Sequence, residues 1–319
     1  MPFALDAELL QTMMAAMAEP GFVRPEPAAR DDWKAVRTSS DAALVRLNAA
    51  MPAYTEVTRT DYQIGSYDGA TVLARWYVRA QGRDEPGPAA VYLHGGGMLA
   101  GSVDLHDRTV AGYVADTGVP MLAVDYRLAP EHPHPTPVED AYAGLTWLAS
   151  HAEELTVDPA RIALIGDSAG GGLAAGVALL ARDRGVPVAK QILIYPMLDD
   201  RNTEPDPHLA QVAFWSYDNN YTGWHALLGD AVGGAGVPEY AAPARAEDLT
   251  GLPAAYVEVG ELDIFRDESI SYAQRIADAG TSVELHVHPG CPHGFEHISA
   301  EADVVRRSRA DRLRALASL

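Results

Sequence analysis

The sequence predicts an α/β fold: a mainly parallel sheet covered by helices on both faces, with a helical cap laid over it. Three observations carry this. Short apolar runs alternate with helical stretches from residue 89 onward, the rhythm of parallel strands joined by crossover helices. Apolar residues make up 48% of the 319 and charged residues 21%, a composition that builds a sizeable core and does not suit disorder. The interval 199–236 then breaks the alternation with an aromatic-rich insertion between two strands.

Taken in order, the first 50 residues place Leu9, Leu10, Met13, Met14 and Met17, then Trp33, Val36, Leu44, Val45 and Leu47, at helical spacing, broken by Pro20, Pro25 and Pro27. Two or more helices are expected there. Between Glu56 and Val78, β-branched and aromatic residues with turns at Gly65 and Asp68-Gly69 predict antiparallel strands. Further strands are expected at 89–93, 121–124, 162–165, 192–195, 255–259 and 283–287. The helices between and after them are expected over about 105–116, 138–150, 168–183, 267–279 and 302–317. A structureless loop as long as 199–236 is uncommon inside a compact domain. Phe214, Trp215, Tyr217, Tyr221 and Trp224 are therefore expected on a helical excursion that packs on the N-terminal helices as a lid. The resulting division is 1–50 and 199–236 for the cap, and 51–198 and 237–319 for the core.

Charge and cysteine content narrow the function. Lys and Arg number 24 and Asp and Glu 44, a formal charge of -20 that repels phosphate backbones and anionic lipid surfaces. No nucleic-acid or membrane partner is expected. The lone Cys291 rules out an intramolecular disulfide and a cysteine-based metal cage. Residues 1–20 carry no basic leader pattern, and Asp6 and Glu8 interrupt their apolar positions, so a cytoplasmic location is expected. The longest apolar runs are strand-length, far short of the roughly 20 residues of a spanning helix.

Chemistry concentrates in four loops. The strand ending at Ile165 runs into Gly166-Asp167-Ser168-Ala169-Gly170, followed directly by helix formers. This G-x-S-x-G, in a strand-turn-helix context, lifts a serine hydroxyl to the carboxyl edge of the sheet. Gly170, Gly172 and Ala175 also fit a dinucleotide fingerprint, but they fall inside the helix, and the next strand ends in Tyr-Pro where a ribose-binding acid would stand. Gly170 and Gly172 read as packing glycines, with no cofactor. His94-Gly95-Gly96-Gly97 follows another strand, and consecutive glycines can aim backbone N–H groups at a developing oxyanion. Beyond Ser168, His293 sits in a loop after the last strand and Asp263 just after the strand before it, both at the same edge. Asp267, four residues on, is expected to cap or pair locally. His286-Val-His288 puts two imidazoles on one strand face without an obvious third ligand, so no metal is expected. His132 and His134 read as structural, and Arg306, Arg307, Arg309, Arg312 and Arg314 as a solvated helix face.

His94-Gly-Gly-Gly, Tyr126-Arg-Leu-Ala-Pro-Glu131, Gly166-Asp-Ser-Ala-Gly-Gly171, the acid at Asp263 and Pro292-His-Gly-Phe295 together resemble the bacterial hormone-sensitive-lipase-like esterases (family IV) of the α/β-hydrolase fold. The resemblance spans about residues 89–297. It implies an eight-stranded, mostly parallel sheet, a helical cap, no cofactor and often a homodimer. It also implies Ser168 as nucleophile, His293 as base and Asp263 as its orienter, with the N–H groups of Gly96, Gly97 and Ala169 as the oxyanion hole. Met98 stands where an aromatic residue often follows the glycines, and Ile264 replaces a common proline. Met98, Phe214, Trp215 and Tyr217 are expected to contact the substrate. The expected activity is hydrolysis of short to medium acyl esters through a serine acyl-enzyme. The alternatives are an amidase or peptidase with the same triad, or a noncatalytic small-molecule receptor.

Overall fold

The computed structural model describes residues 4–19, 21 and 27–319; the breaks expected at Pro20 and Pro25 lie outside the described residues. The strands are β1 (Val57–Gly65), β2 (Thr71–Arg79), β3 (Gly87–Leu93), β4 (Met121–Val124), β5 (Val157–Asp167), β6 (Lys190–Ile194), β7 (Ala254–Gly260) and β8 (Val283–His288). They form one sheet in the order β1-β2-β4-β3-β5-β6-β7-β8. The hairpin β1–β2 and the β2–β4 pair are antiparallel, and every other pair is parallel. The antiparallel start follows from the short turn at Asp68-Gly69. The parallel remainder follows from the crossover helices α3 (Asp107–Thr117), α4 (Thr136–Ser150), α5 (Ala169–Arg184) and α7 (Arg266–Asp278), with α8 (Asp303–Ala317) closing the chain.

Side-chain alternation along the central strands divides the core in two. In β3, Ala89, Val91 and Leu93 face a cluster shared with α4 and α5, while Ala90 and Tyr92 face one shared with α3 and α8. Helix α5 is buried without interruption from Ala169 to Ala181, as expected of a helix apolar on all sides. Gly172 lies within it, where a side chain would strike the carbonyl of Met197. The glycines of the apparent dinucleotide fingerprint are thus close-approach residues inside a helix.

The N-terminal helices α1 (Ala7–Ala18) and α2 (Trp33–Ala50) take different places. Helix α2 packs beside α6 (Tyr217–Leu228) of the insertion, aided by the Arg30–Asp218 ion pair and by the Asp31 N–H donating to Thr222 Oγ1 at 3.1 Å. The entry to α1 is tied to the core: Asp6 N donates to Gly290 O at 2.9 Å, and the Glu8 carboxylate accepts from Asp303 N at 2.6 Å. The insertion thus touches the N-terminal segment at α2. The insertion is also less helical than expected: residues 201–216 are turns and extended chain, where Pro205 and Pro207 remove helix donors, and α6 forms only beyond the Ser216 N-cap. Among the described residues, no helix is long and apolar enough to cross a membrane.

Candidate active site

Ser168 sits between β5 and α5 with φ 55° and ψ -121°, a backbone region that costs a non-glycine residue on the order of 1–3 kcal/mol. Its surroundings hold it there. The Ser168 N–H donates to Ile194 O at 2.8 Å, and its carbonyl accepts from Gly172 N and Met197 N, both at 3.0 Å. The flanking glycines are required by close approach: a side chain at Gly166 would strike the Gly170 carbonyl, and one at Gly170 the carbonyls of Leu93 and His94. Strain at the serine and small neighbours lift the hydroxyl clear of the turn.

His293 Nε2 lies 2.9 Å from Ser168 Oγ, and His293 Nδ1 lies 2.7 Å from Asp263 Oδ2. Asp263 is fully buried just past β7 and accepts the Phe265 N–H on its other oxygen at 2.9 Å. The imidazole is wedged edge-on between the rings of Tyr195 (4.7 Å) and Phe265 (5.1 Å). Carboxylate, imidazole and hydroxyl thus form one hydrogen-bonded line, contributed by the carboxyl ends of β5, β7 and β8. Asp267 is 75% exposed and pairs with Arg266, away from this line.

The His94–Gly97 loop turns beside the serine, with φ of 127° at Gly96 and 63° at Gly97. Among the described residues no acceptor takes the N–H of Gly96 or Gly97, and Ala169, as the first residue of α5, has no intrahelical acceptor. His94 anchors this loop. Its ring stacks on Tyr126 at 4.2 Å, its carbonyl accepts the Tyr126 hydroxyl at 2.7 Å, and burial lowers its pKa to about 3, so the ring is neutral. Cys291 is buried, and burial pushes its thiol up to about 12, a state unsuited to nucleophilic attack.

A cavity of about 490 Å³ opens over Ser168 and His293. Phe214 and Trp215 line it. Met98 and Tyr217 do not. Met98, at φ 64°, turns its side chain down into the core and is 1% exposed. Tyr217 faces a separate polar cavity at the base of the insertion, where its hydroxyl accepts the Asp206 N–H at 3.2 Å. In their place stand Leu44 and Leu47 of α2 together with His106, Tyr195, His297 and Ile298. The apolar spacing of α2 and the position of Tyr195 at a strand end were the available sequence signals for two of these contributions. His286 bonds Glu284 at 2.6 Å, and His288 faces Glu258 at 3.4 Å. Glu284, His286 and Asp311 bring ligand atoms within 4.8 Å of one another, but Arg314 already occupies Glu284.

Comparison with known proteins agrees with this geometry. The profile of a family described as alpha/beta hydrolase fold matches residues 90–297. The carboxylesterase NlhH of Mycobacterium tuberculosis is 34% identical over 319 aligned residues, covering 94% of this chain and 99% of that protein. An ethyl acetate hydrolase of Pseudomonas putida is 34% identical, covering 76% of this chain and 78% of its own. Among solved structures, a bacterial heroin esterase superposes with a TM-score of 0.88 at 37% identity, covering 99% of this chain and 98% of that one. With the fold, the motifs and these relatives in agreement, the chain belongs to the bacterial hormone-sensitive-lipase-like (family IV) carboxylesterases of the α/β-hydrolase fold.

Proposed function

We propose that this protein hydrolyses carboxylic esters by a two-step serine mechanism, and that short to medium acyl esters dissolved in water are its substrates. The observation that carries the reading is the unbroken line Asp263–His293–Ser168 beneath a largely apolar cavity. In this reading His293 Nε2 takes the Ser168 proton as Oγ attacks the ester carbonyl, and Asp263 fixes the imidazole and stabilises its cation. The N–H groups of Gly96, Gly97 and Ala169 receive the negative charge on the carbonyl oxygen. The alcohol leaves with a proton from His293. Water, deprotonated by the same nitrogen, then attacks the acyl-enzyme and releases the acid. The ethyl acetate hydrolase among the relatives supports the short-acyl end of the range.

Residues 1–50 and 199–236 are proposed as the cap and the two remaining segments as the catalytic core, with Phe214 and Trp215 as the cap's contacts to the acyl chain. A cytoplasmic setting, consistent with the single cysteine, and a homodimer belong to the same reading. Cell fractionation and sedimentation of the purified protein test these two. The mechanism is tested by a fluorophosphonate probe together with a chromogenic ester. The expected result is labelling at Ser168, with labelling and turnover both lost in Ser168→Ala. Labelling at another serine, or turnover retained in the variant, overturns it.

A further inference from the structure

The cavity over Ser168 has a neighbour. A second cavity of about 570 Å³ shares Leu44, Leu47, His106, Asp167, Tyr195 and His297 with it and extends between α2, α3 and α8. The carboxylates on its wall are Asp116, Asp167, Glu296 and Glu301, beside Arg309, His106 and His297, and the exposed Glu301 pairs outward with Arg306. Arg309 is already paired to Asp116 at 2.5 Å. Asp167 accepts the Tyr92 hydroxyl on Oδ1 at 2.6 Å, and its Oδ2 accepts no hydrogen bond among the described residues. Glu296 takes both the Tyr195 hydroxyl (2.6 Å) and Arg312 Nη1 (2.7 Å) on Oε1, so Oε2 is left buried without a partner.

The guanidinium of Arg312 is itself shared with Glu258, which leaves one positive charge against two carboxylates. Burial acts to raise the Glu296 carboxyl, and Arg312 overrides it and holds the group at about 2, so Glu296 is ionised at neutral pH. Tyr54, Tyr92 and Tyr113 complete it, with Tyr195 at the shared boundary. Carboxylates and phenol rings set among Leu44, Leu47, Met51, Leu105 and Val305 suit a cation that is weakly hydrated and itself partly apolar. A quaternary ammonium has both properties: its charge meets the carboxylates and ring faces, and its methyl groups fill the apolar space.

The position of this cavity selects one arm of the ester. The leaving oxygen must lie beside His293, which protonates it, and the segment directly after His293 supplies Glu296, His297, Ala300 and Glu301 to the wall. We propose that this second cavity is the subsite for a quaternary-ammonium alcohol arm, making choline-type esters a favoured substrate class, an inference that rests on the ester-hydrolase reading above. The chemistry is unchanged: the acyl C–O bond breaks, water supplies the new oxygen, and the products are the carboxylic acid and the cationic alcohol.

The test compares acetylcholine with 3,3-dimethylbutyl acetate, which has nearly the same shape without the charge. The readout is the ratio of their kcat/KM values with the full-length parent, Glu296→Gln, Asp116→Asn and, as a control in the exposed insertion, Glu204→Gln. The parent is expected to favour acetylcholine about tenfold, the size of a desolvated cation-ring contact. Glu296→Gln and Asp116→Asn should each lower the ratio severalfold, and Glu204→Gln should leave it unchanged. If Glu296→Gln does not fold, Asp116→Asn, on an exposed helix position, carries the same test. Equal kcat/KM for the two esters in the parent overturns the subsite while leaving ester hydrolysis in place. A preference that Glu204→Gln lowers as much as the cavity variants do also overturns it, because the whole-protein charge would then be the cause. Failure to cleave either ester, with no fluorophosphonate labelling, removes the reading beneath it.

Discussion

At the scale of single residues, the two acidic candidates after β7 make opposite predictions. Asp263 is buried and holds His293 Nδ1 at 2.7 Å, whereas Asp267 is 75% exposed and engaged with Arg266. Asp263→Asn should keep the fold but favour the wrong imidazole tautomer, lowering kcat on the order of 10⁴-fold. Asp267→Asn should change it by less than about threefold, in line with an exposed ion pair. Steady-state kinetics on one soluble ester decide, and the reverse ranking would move the orienting role to Asp267. The three loops bearing Ser168, Asp263 and His293 were legible because each follows a parallel strand, and parallel strands deliver their carboxyl ends to one edge. Which way a side chain points within a loop was not legible. Met98 follows three glycines and invites a place in the site, yet its positive φ turns it into the core. Tyr217 belongs to an aromatic run whose composition gives no facing direction, and the first turn of α6 points it to the base of the insertion.

Among elements, α2 is a wall of the site, and Asp41, Asn48 and above all Arg37 tie it to the core. Arg37 bonds Glu131 through two nitrogens at 2.7 Å each, and also reaches the carbonyls of Leu99 and Ala129. It thereby fastens α2 to both the glycine loop and the Tyr126–Glu131 loop. Arg37 touches none of the reacting groups, but Leu44 and Leu47 on the same helix line the cavity. Arg37→Ala should raise KM about threefold or more while kcat changes little, the pattern of lost uniform binding, and should lower Tm by a few degrees. The pair also sets a pH window. Arg37 holds the Glu131 carboxyl down from 4.5 to about 2, so its contribution is complete above about 4.5 and is lost as pH falls through about 2. The Tm difference between parent and variant should therefore be flat from neutrality to about pH 5 and shrink below it; a difference that instead closes on the alkaline side would show that Glu131 is not the partner that matters. Helix α2 and the strand order were legible as periodicity, but that α2 covers the site while α1 docks by Gly290 and Asp303 depends on long-range contacts no local pattern encodes.

For the whole molecule, the size of the cavity and the overall charge together decide between dissolved esters and lipid surfaces. Each methylene buried in an apolar pocket is worth about 0.8 kcal/mol, roughly fourfold in transition-state binding, so turnover should first climb with acyl length. The climb must stop where the wall stops. At about 490 Å³, bounded by Leu44, Leu47, Phe214, Trp215 and Ile298, the space is finite, and chains beyond about eight carbons should gain nothing further. One surface feature argues the other way: α1 exposes Leu10, Met14 and Met17 at 44, 63 and 53%, a short apolar stripe along one helix. Against it stands a net charge of -20, which opposes approach to an anionic interface at about 1 kcal/mol per charge near the surface, and three side chains are a small platform beside that field. The measurement is kcat/KM over an acyl series from acetate to palmitate on one chromogenic alcohol, taken below and above the solubility limit of each ester. A maximum at short to medium length, with no rise in rate when an emulsion forms, is the expected outcome. A maximum at palmitate, or a jump in rate at the solubility limit, would instead make the α1 stripe an interfacial anchor and the enzyme a lipase.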